Sequence, residues 1–392
     1  MSPIVPSLAA LFWLSVGSIL YTYFGYPLLV TLLARLRPPL RFAEPKEDLP
    51  LVTLLIAAYN EELAIEEKIK NSLNLDYPKD RLQILIVNDG SSDRTRDILD
   101  EYVGRGIEAF HQPQRGGKMA AITRGVSEAR GDIILFSDAN NTYQANTIKQ
   151  IIAPFSDPHI SAVSGAKVIE KGDGGLGESE GLYWKYESFI KKQESRLGSC
   201  TSATGEILAI RKGKYVAPPQ GIINDDFYIA MQVVRQGDRL VYAPEAKSSE
   251  RVSPTAQDEI KRRSRINAGR YQSFALAKHT LPINNPLLMW QIFSHKFLRL
   301  MLPFLMIGAA LTNLAIVLIP AASNNFWLIL LIGQAAFYGL ALLGDRLPKK
   351  SKLGRLLYLP AFLTNSNMAS LQGFIRFLRG GQLHLWERID RR

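Results

Sequence analysis

The apolar positions of this chain fall into two regimes. Residues 1–34, 300–344 and 356–375 carry no charged side chain, whereas residues 50–280 alternate short apolar runs with polar segments. An uncharged apolar run of about 18 residues or more is long enough to cross the hydrocarbon core of a bilayer. The chain therefore reads as a membrane protein with a large polar middle. The first run has neither a basic start nor an obvious small-residue cleavage site, which predicts an uncleaved anchor. The run 300–344 is too long for one helix. Pro320 and the stretch Ala321-Ala322-Ser323-Asn324-Asn325 divide it into two spans, roughly 298–320 and 326–344. The last run contains Pro360, Asn365, Ser366 and Asn367, and Arg376, Arg379, Arg388, Arg391 and Arg392 follow it. A fourth crossing would put those arginines outside, against the positive-inside rule, so an interfacial or re-entrant helix is expected.

In the middle, Leu51 to Ala57 is a short apolar run ending in a polar turn. Ile65, Ile69 and Leu73 are spaced four apart and predict one face of a helix over Glu62 to Leu73. Leu82 to Val87 is a second buried strand. Asp93 then stands where it can cap a helix carrying Ile98 and Tyr102. Gly117 to Ala129 predicts a further helix, and Asp132 to Phe136 a strand. Strands alternating with helices predict a parallel α/β sheet, with ligands bound in the crevice beyond its strand ends.

Composition narrows the function classes. Among 392 residues, 47 Lys plus Arg face 36 Asp plus Glu, a net charge of +11. The basic residues flank the apolar runs: Arg35, Arg37 and Arg41 after the first, His295, Lys296 and Arg299 before the second, and Arg346, Lys349, Lys350, Lys352 and Arg355 after it. Those are places for cytoplasmic charge and anionic lipid, so no nucleic-acid partner is expected. The single cysteine, Cys200, excludes an intrachain disulfide framework and a Cys-based zinc site. It reads as a small buried residue, and His295 as a lipid-headgroup contact.

Polar clusters stand at or just after the strand ends. They are Ala58-Tyr59-Asn60-Glu61, Asn88-Asp89-Gly90, Ser137-Asp138-Ala139-Asn140 and Asn224-Asp225-Asp226, with Arg262-Arg263-Ser264-Arg265 in a basic helix. Acids and arginines gathered at one crevice point to a metal and a phosphate-bearing ligand. Each cluster alone also has a plain structural reading, as an Asx-turn, a helix cap or a membrane-facing basic face.

In order and content these clusters resemble those of the membrane-integrated family 2 glycosyltransferases, the branch with cellulose, hyaluronan and poly-N-acetylglucosamine synthases. The resemblance covers about residues 50–300 and implies a GT-A (Rossmann-like) α/β fold. By this resemblance Tyr59, Glu61 and Asp89 hold the uracil of a UDP-sugar, and Lys118, after Arg115-Gly116-Gly117, offers a charge to the phosphates or the base. Asp138 and Asn140 stand at the D-x-D motif that holds Mg²⁺ or Mn²⁺, with an amide replacing the second carboxylate. Asp225-Asp226 matches the family's acidic pair, which implies Asp226 as the general base and Asp225 as the residue that orients or tunes it. Arg262 and Arg265 stand at the (Q/R)-x-x-R-W motif that clamps the leaving diphosphate. The chain departs from that motif at Ile266, where the family has a tryptophan that stacks on the acceptor sugar; Trp184 is a possible substitute. Thr204-Gly205-Glu206 resembles the floor of the sugar pocket.

The expected organisation is an anchor at 1–41, a cytoplasmic GT-A domain at 42–284, an interfacial helix at 285–299 and a membrane region at 300–392. The implied function is inverting transfer of a hexose or N-acetylhexosamine from a UDP-sugar to a growing polysaccharide at the inner (plasma) membrane. The alternatives are single transfer to a lipid acceptor and an inactive sugar-nucleotide-binding protein. Expected partners are the donor, a glycan or lipid acceptor and membrane lipids. Three spans are few for a secretion channel, so a closed pore is expected to require a homo-oligomer or a partner.

Overall fold

The computed structural model describes residues 4–42, 49–169, 174–251, 255–320, 322, 324–346 and 352–380. The chain opens with α1 (Ile4–Leu20) and α2 (Tyr26–Arg35), joined without a break by a π-turn at Tyr21–Gly25. The polar middle then runs β1 (Val52–Ala58), α3 (Ile65–Leu73), β2 (Leu82–Asn88), α4 (Thr95–Tyr102), β3 (Glu108–His111), α5 (Lys118–Glu128), β4 (Ile133–Asp138), β5 (Thr142–Tyr143) and α6 (Thr147–Ile152). It continues through β6 (Ile160–Ile169), α7 (Gly174–Leu197), β7 (Leu208–Arg211), α8 (Asp225–Arg235), β8 (Arg239–Glu250), α9 (Ala256–Ala275) and α10 (Ala277–Thr280). Last come α11 (Pro286–Ile292), α12 (Leu298–Leu318), α13 (Asn325–Arg346) and α14 (Lys352–Leu378).

One sheet holds the eight strands in the order β3-β2-β1-β4-β7-β6-β8-β5. β1 is buried along its whole length because β2 and β4 flank it in parallel and helices cover both faces, which is why its sequence is continuously apolar. Register places the site. Ala58 lies opposite Asn88, and Ala57 opposite Asp138, so the polar residues ending β1, β2 and β4 meet at one edge. Two glycines permit the close approaches this requires. A Cβ on Gly131 would lie 2.4 Å from the Thr53 backbone nitrogen, and one on Gly125 of α5 would lie 2.2 Å from a Leu55 methyl. The apolar layers sit on the two faces, one around Leu54, Ile56, Ile65 and Ile84, the other around Leu55, Val87, Ile122 and Ile229.

Among the described residues, three helices are long and apolar enough to cross a membrane: Ile4–Arg35, Pro286–Leu318 and Asn325–Gly344. Residues 285–299 thus run straight on into α12 through a π-turn at Phe293–Phe297. At about 1.5 Å per residue this helix exceeds the roughly 30 Å core, leaving room for its polar first turns outside it. Those turns carry charge that is already paired. His295 was expected against a lipid headgroup but is buried: its Nδ1 is 2.7 Å from Glu194 and its Nε2 3.2 Å from Glu187. α14 packs along α9, with Gly373 against Ser264 and Asn267 and with Tyr271 beside Phe374. Lys349, Lys350, Arg388, Arg391 and Arg392 lie outside the described residues.

Candidate active site

A cavity of about 1270 Å³ opens beside the sheet edge. Lys118, Asp138, Asp225, Asp226, Arg262, Arg265 and Ile266 line it together, although they come from four elements. Its far end is apolar, walled by Phe12 and Val16 of α1, Ala309 of α12 and Ile329 and Phe337 of α13. One space therefore connects the acidic floor with the membrane helices. Tyr59, Glu61, Asp89 and Asn140 do not line it.

The floor is built by local hydrogen bonding. Asp225 and Asp226 open α8, where exposed backbone N–H groups favour acids. Asp226 Oδ1 accepts from the Phe227 N–H at 2.7 Å, and Oδ2 from the Gly205 N–H at 3.1 Å. Burial and the neighbouring Asp225 charge push the Asp226 carboxyl up to about 6. The preceding turn is locked onto α9: Asn224 donates to the Ile266 carbonyl at 3.0 Å, and the Ile223 N–H to Gln272 at 3.1 Å. The acidic pair and the arginine helix thus form one unit.

Lys118 begins α5 and reaches Asp138, 2.7 Å away. Burial works against its ammonium, but Asp138, Asp225 and Asp226 outweigh that and raise its pKa. The loop before it is held by Asp89, whose two oxygens accept from Gly116 N–H at 2.8 Å and Gly117 N–H at 2.7 Å. A chain of contacts therefore runs from Asp89 through the glycine pair and Lys118 to Asp138. Tyr59 lies outside the cavity with the Arg115 guanidinium 4.0 Å over its ring. The Glu61 N–H donates to Thr95 at 2.8 Å, tying the β1 turn to α4. The Thr95 N–H donates to Asp93 at 3.0 Å, so Asp93 holds the start of α4.

Arg262 and Arg265 share one side of α9 but differ in engagement. Arg262 donates twice to Glu259, at 2.8 and 3.0 Å, and Arg263 joins the same carboxylate at 2.8 Å. Burial opposes the Glu259 charge, yet the two arginines hold it down to about 2. Arg265 feels the acids of α8. Burial lowers its pKa, and Asp225 pulls the other way.

One residue beneath the site, Lys68, is not marked by any motif, whereas Glu206, Trp184 and Cys200 are residues the sequence had already singled out. Lys68 lies on the buried stripe of α3 and donates to Ser137 at 2.7 Å and to the Asn141 carbonyl at 2.9 Å, beneath Asp138. Burial lowers it to about 7 against the pull of Asp138 and Glu206. Its position three residues after Ile65 was the available signal. Glu206, 5% exposed, pairs with Lys167 at 2.7 Å and accepts from Ser248 at 2.9 Å. Trp184 of α7 lines the cavity, and its buried indole N–H has no hydrogen-bond partner among the described residues. Cys200 is buried, which raises its thiol to about 11.

Among the described residues, no cluster of three or more His, Cys, Asp or Glu side chains is set to hold a metal ion. At the end of β4 the cavity receives one carboxylate, that of Asp138, while Asn140, two residues further on, does not line it. That does not suit a resident, protein-caged ion. It suits Mg²⁺ or Mn²⁺ of the kind held by one or two protein oxygens together with substrate phosphates.

Residues 53–215 match the family model described as glycosyl transferase family 2. The probable glycosyltransferase YdaM of Bacillus subtilis (strain 168) is 39% identical over 117 residues, 29% of this chain and 28% of that protein. The poly-beta-1,6-N-acetyl-D-glucosamine synthase of Staphylococcus aureus (strain COL) is 27% identical over 245 residues, 61% of this chain and 57% of that protein. The matched segments thus span little more than half, or less, of these relatives. The solved structure of the mannosyltransferase PcManGT from Pyrobaculum calidifontis, in complex with GDP-Man and Mn²⁺, superposes with a TM-score of 0.73 at 22% identity. That superposition covers 95% of this chain and 100% of the other, and it shows the shared fold.

Proposed function

From the premise that this chain carries a family 2 glycosyltransferase domain in a GT-A fold, we propose that it transfers a hexose or N-acetylhexosamine from a UDP-sugar, with inversion, to an acceptor held at the membrane. One observation carries this reading: Lys118, Asp138, Asp225, Asp226 and Arg265, far apart in the chain, open onto a single cavity. Asp226 is assigned as general base. Its raised pKa, about 6, leaves it ionised at neutral pH yet basic enough to take a hydroxyl proton as that oxygen attacks the anomeric carbon. Gly205 and Phe227 fix the carboxylate's orientation. Charge gathering on the departing diphosphate is met by Lys118 and Arg265. Asp138 and Asn140 are the residues that would hold Mg²⁺ or Mn²⁺, which when bound adds positive charge beside that diphosphate. Tyr59, Glu61 and Asp89 are assigned to the uracil side, the last by holding the Gly116-Gly117 loop. Trp184 is assigned as the ring against which the acceptor sugar lies, in place of Ile266.

Two acceptors remain. The likeness to a poly-N-acetylglucosamine synthase supports a growing polysaccharide. The apolar extension of the cavity between α1, α12 and α13 supports a lipid-borne acceptor and single transfer. The basic flanks of the spans support a cytoplasmic catalytic domain at the inner membrane. A panel of UDP-sugars offered to the purified chain in detergent, with and without Mn²⁺, tests the proposal through UDP release. One UDP-sugar turned over in an Mn²⁺-dependent way is the expected result; no release from any would overturn it. With labelled donor, a ladder of products marks the polysaccharide and a single lipid-soluble spot the lipid acceptor.

A further inference from the structure

Away from the acidic floor, a second charged group lines the same cavity. Arg299 stands at the start of α12, its side chain only 12% exposed. Its Nη1 donates to Glu187 of α7. Its Nε and Nη2 are buried and have no hydrogen-bond partner among the described residues. Those two atoms form the side of the guanidinium that grips a phosphate or carboxylate with two parallel hydrogen bonds. Leaving such donors buried and unmet costs roughly 1–3 kcal/mol or more per group. Glu187 meets Arg299 through Nη1 and not through the fork, and its oxygens also face His295 and Lys296, each 3.2 Å away. Arg270 and Lys296 also line the cavity and add positive charge. Phe12, Val16, Ala309 and Phe337 continue it between the membrane helices. Trp184 lies one helical turn before Glu187 on α7.

We propose that Arg299, supported by Arg270 and Lys296, binds the phosphate of a lipid phosphate whose hydrocarbon chain occupies the apolar end of the cavity. This deepens the lipid-acceptor reading and rests on it. An anion at Arg299 and a chain between α1, α12 and α13 place the head of that lipid on the side of Trp184 and the Asp226 floor. The diphosphate of the donor has its own cations in Lys118 and Arg265, so the cavity holds two anion subsites.

The test uses the purified full-length chain in detergent and three probes: farnesyl phosphate, farnesol and inorganic phosphate. Binding is read by thermophoresis, with UDP binding measured in parallel. Farnesyl phosphate is expected to bind at least tenfold tighter than either farnesol or inorganic phosphate. Arg299→Gln is expected to weaken farnesyl phosphate at least tenfold while UDP binding holds. Arg299→Lys keeps a partner for Glu187 and loses the fork; a loss there too, with normal thermal unfolding, separates ligand contact from a folding defect. Equal binding of farnesol overturns the phosphate site, and equal binding of inorganic phosphate overturns the lipid source. Unchanged farnesyl phosphate affinity in both Arg299 variants overturns the assignment of Arg299. Failure of UDP to bind the wild-type chain strikes instead at the glycosyltransferase site.

Discussion

The Asp225→Asn variant probes the electrostatics of the proposed base, Asp226. Two things raise Asp226: burial first, then the charge of Asp225 beside it, against the opposing N–H of Phe227 and the ammonium of Lys118. A base must be ionised to accept a proton, so a carboxyl raised to about 6 loses activity as pH falls through 6. The rate at pH 5 is then about a tenth of that at pH 7, from the ionised fraction alone. An unperturbed aspartate would show no such loss until about pH 4. Replacing Asp225 by Asn removes the second cause and leaves the first. The midpoint of the limb moves toward acid by up to about one pH unit, and the neutral-pH rate falls less than for a change at Asp226 itself. Initial rates of UDP release between pH 4.5 and 8 measure this, at saturating donor so that binding does not contribute. A limb that stays at the same pH in Asp225→Asn, or a wild-type rate flat down to pH 4.5, would rule out a raised Asp226 carboxylate as the base.

Other perturbations have equally definite outcomes. Lys118→Met removes the cation that steadies Asp138 and lowers Asp226; donor KM should rise at least tenfold, and the acid limb should move toward alkali, both read from pH-dependent kinetics. Glu206→Gln leaves Lys167 with one fewer carboxylate in a buried site. It should cost about 3 kcal/mol, seen as a lower unfolding temperature. Trp184→Leu should raise acceptor KM about three- to tenfold with donor affinity retained, the scale of a lost aromatic contact. Gly131→Ala drives a Cβ into the β1 backbone, 2.4 Å from the Thr53 nitrogen. It should destabilise by about 3 kcal/mol or more, seen as poor expression or early unfolding.

The parts legible in the sequence are those governed by local pattern. The apolar run at Leu51 to Ala57 became Val52–Ala58, Leu82 to Val87 became Leu82–Asn88, and the spans near 298–320 and 326–344 became Leu298–Leu318 and Asn325–Arg346. Apolar runs of that length admit few other solutions. The helix expected from Glu62 begins only at Ile65, because Glu61 accepts from Ala64 and Ile65 in a turn that binds α4. What remained hidden depends on contacts between distant segments. The run β6, β7 and β8 joins the sheet by antiparallel and parallel pairings that alternation alone does not specify. Arg115 lies over Tyr59 only because the glycine loop folds back on Asp89. Glu187 and Glu194 sit in an amphipathic-looking helix, and no spacing in it foretells His295 or Arg299 as their partners.

The acidic pair and the end of β4 are proposed to serve one reaction, with Asp226 as its base. Asp226→Asn, compared with wild type by calorimetric titration of the active UDP-sugar and by UDP release, tests it most directly. Donor affinity should stay within about threefold of wild type while turnover falls by a factor of about 100 or more. Turnover near the wild-type rate in a variant that binds donor normally would contradict that role of Asp226.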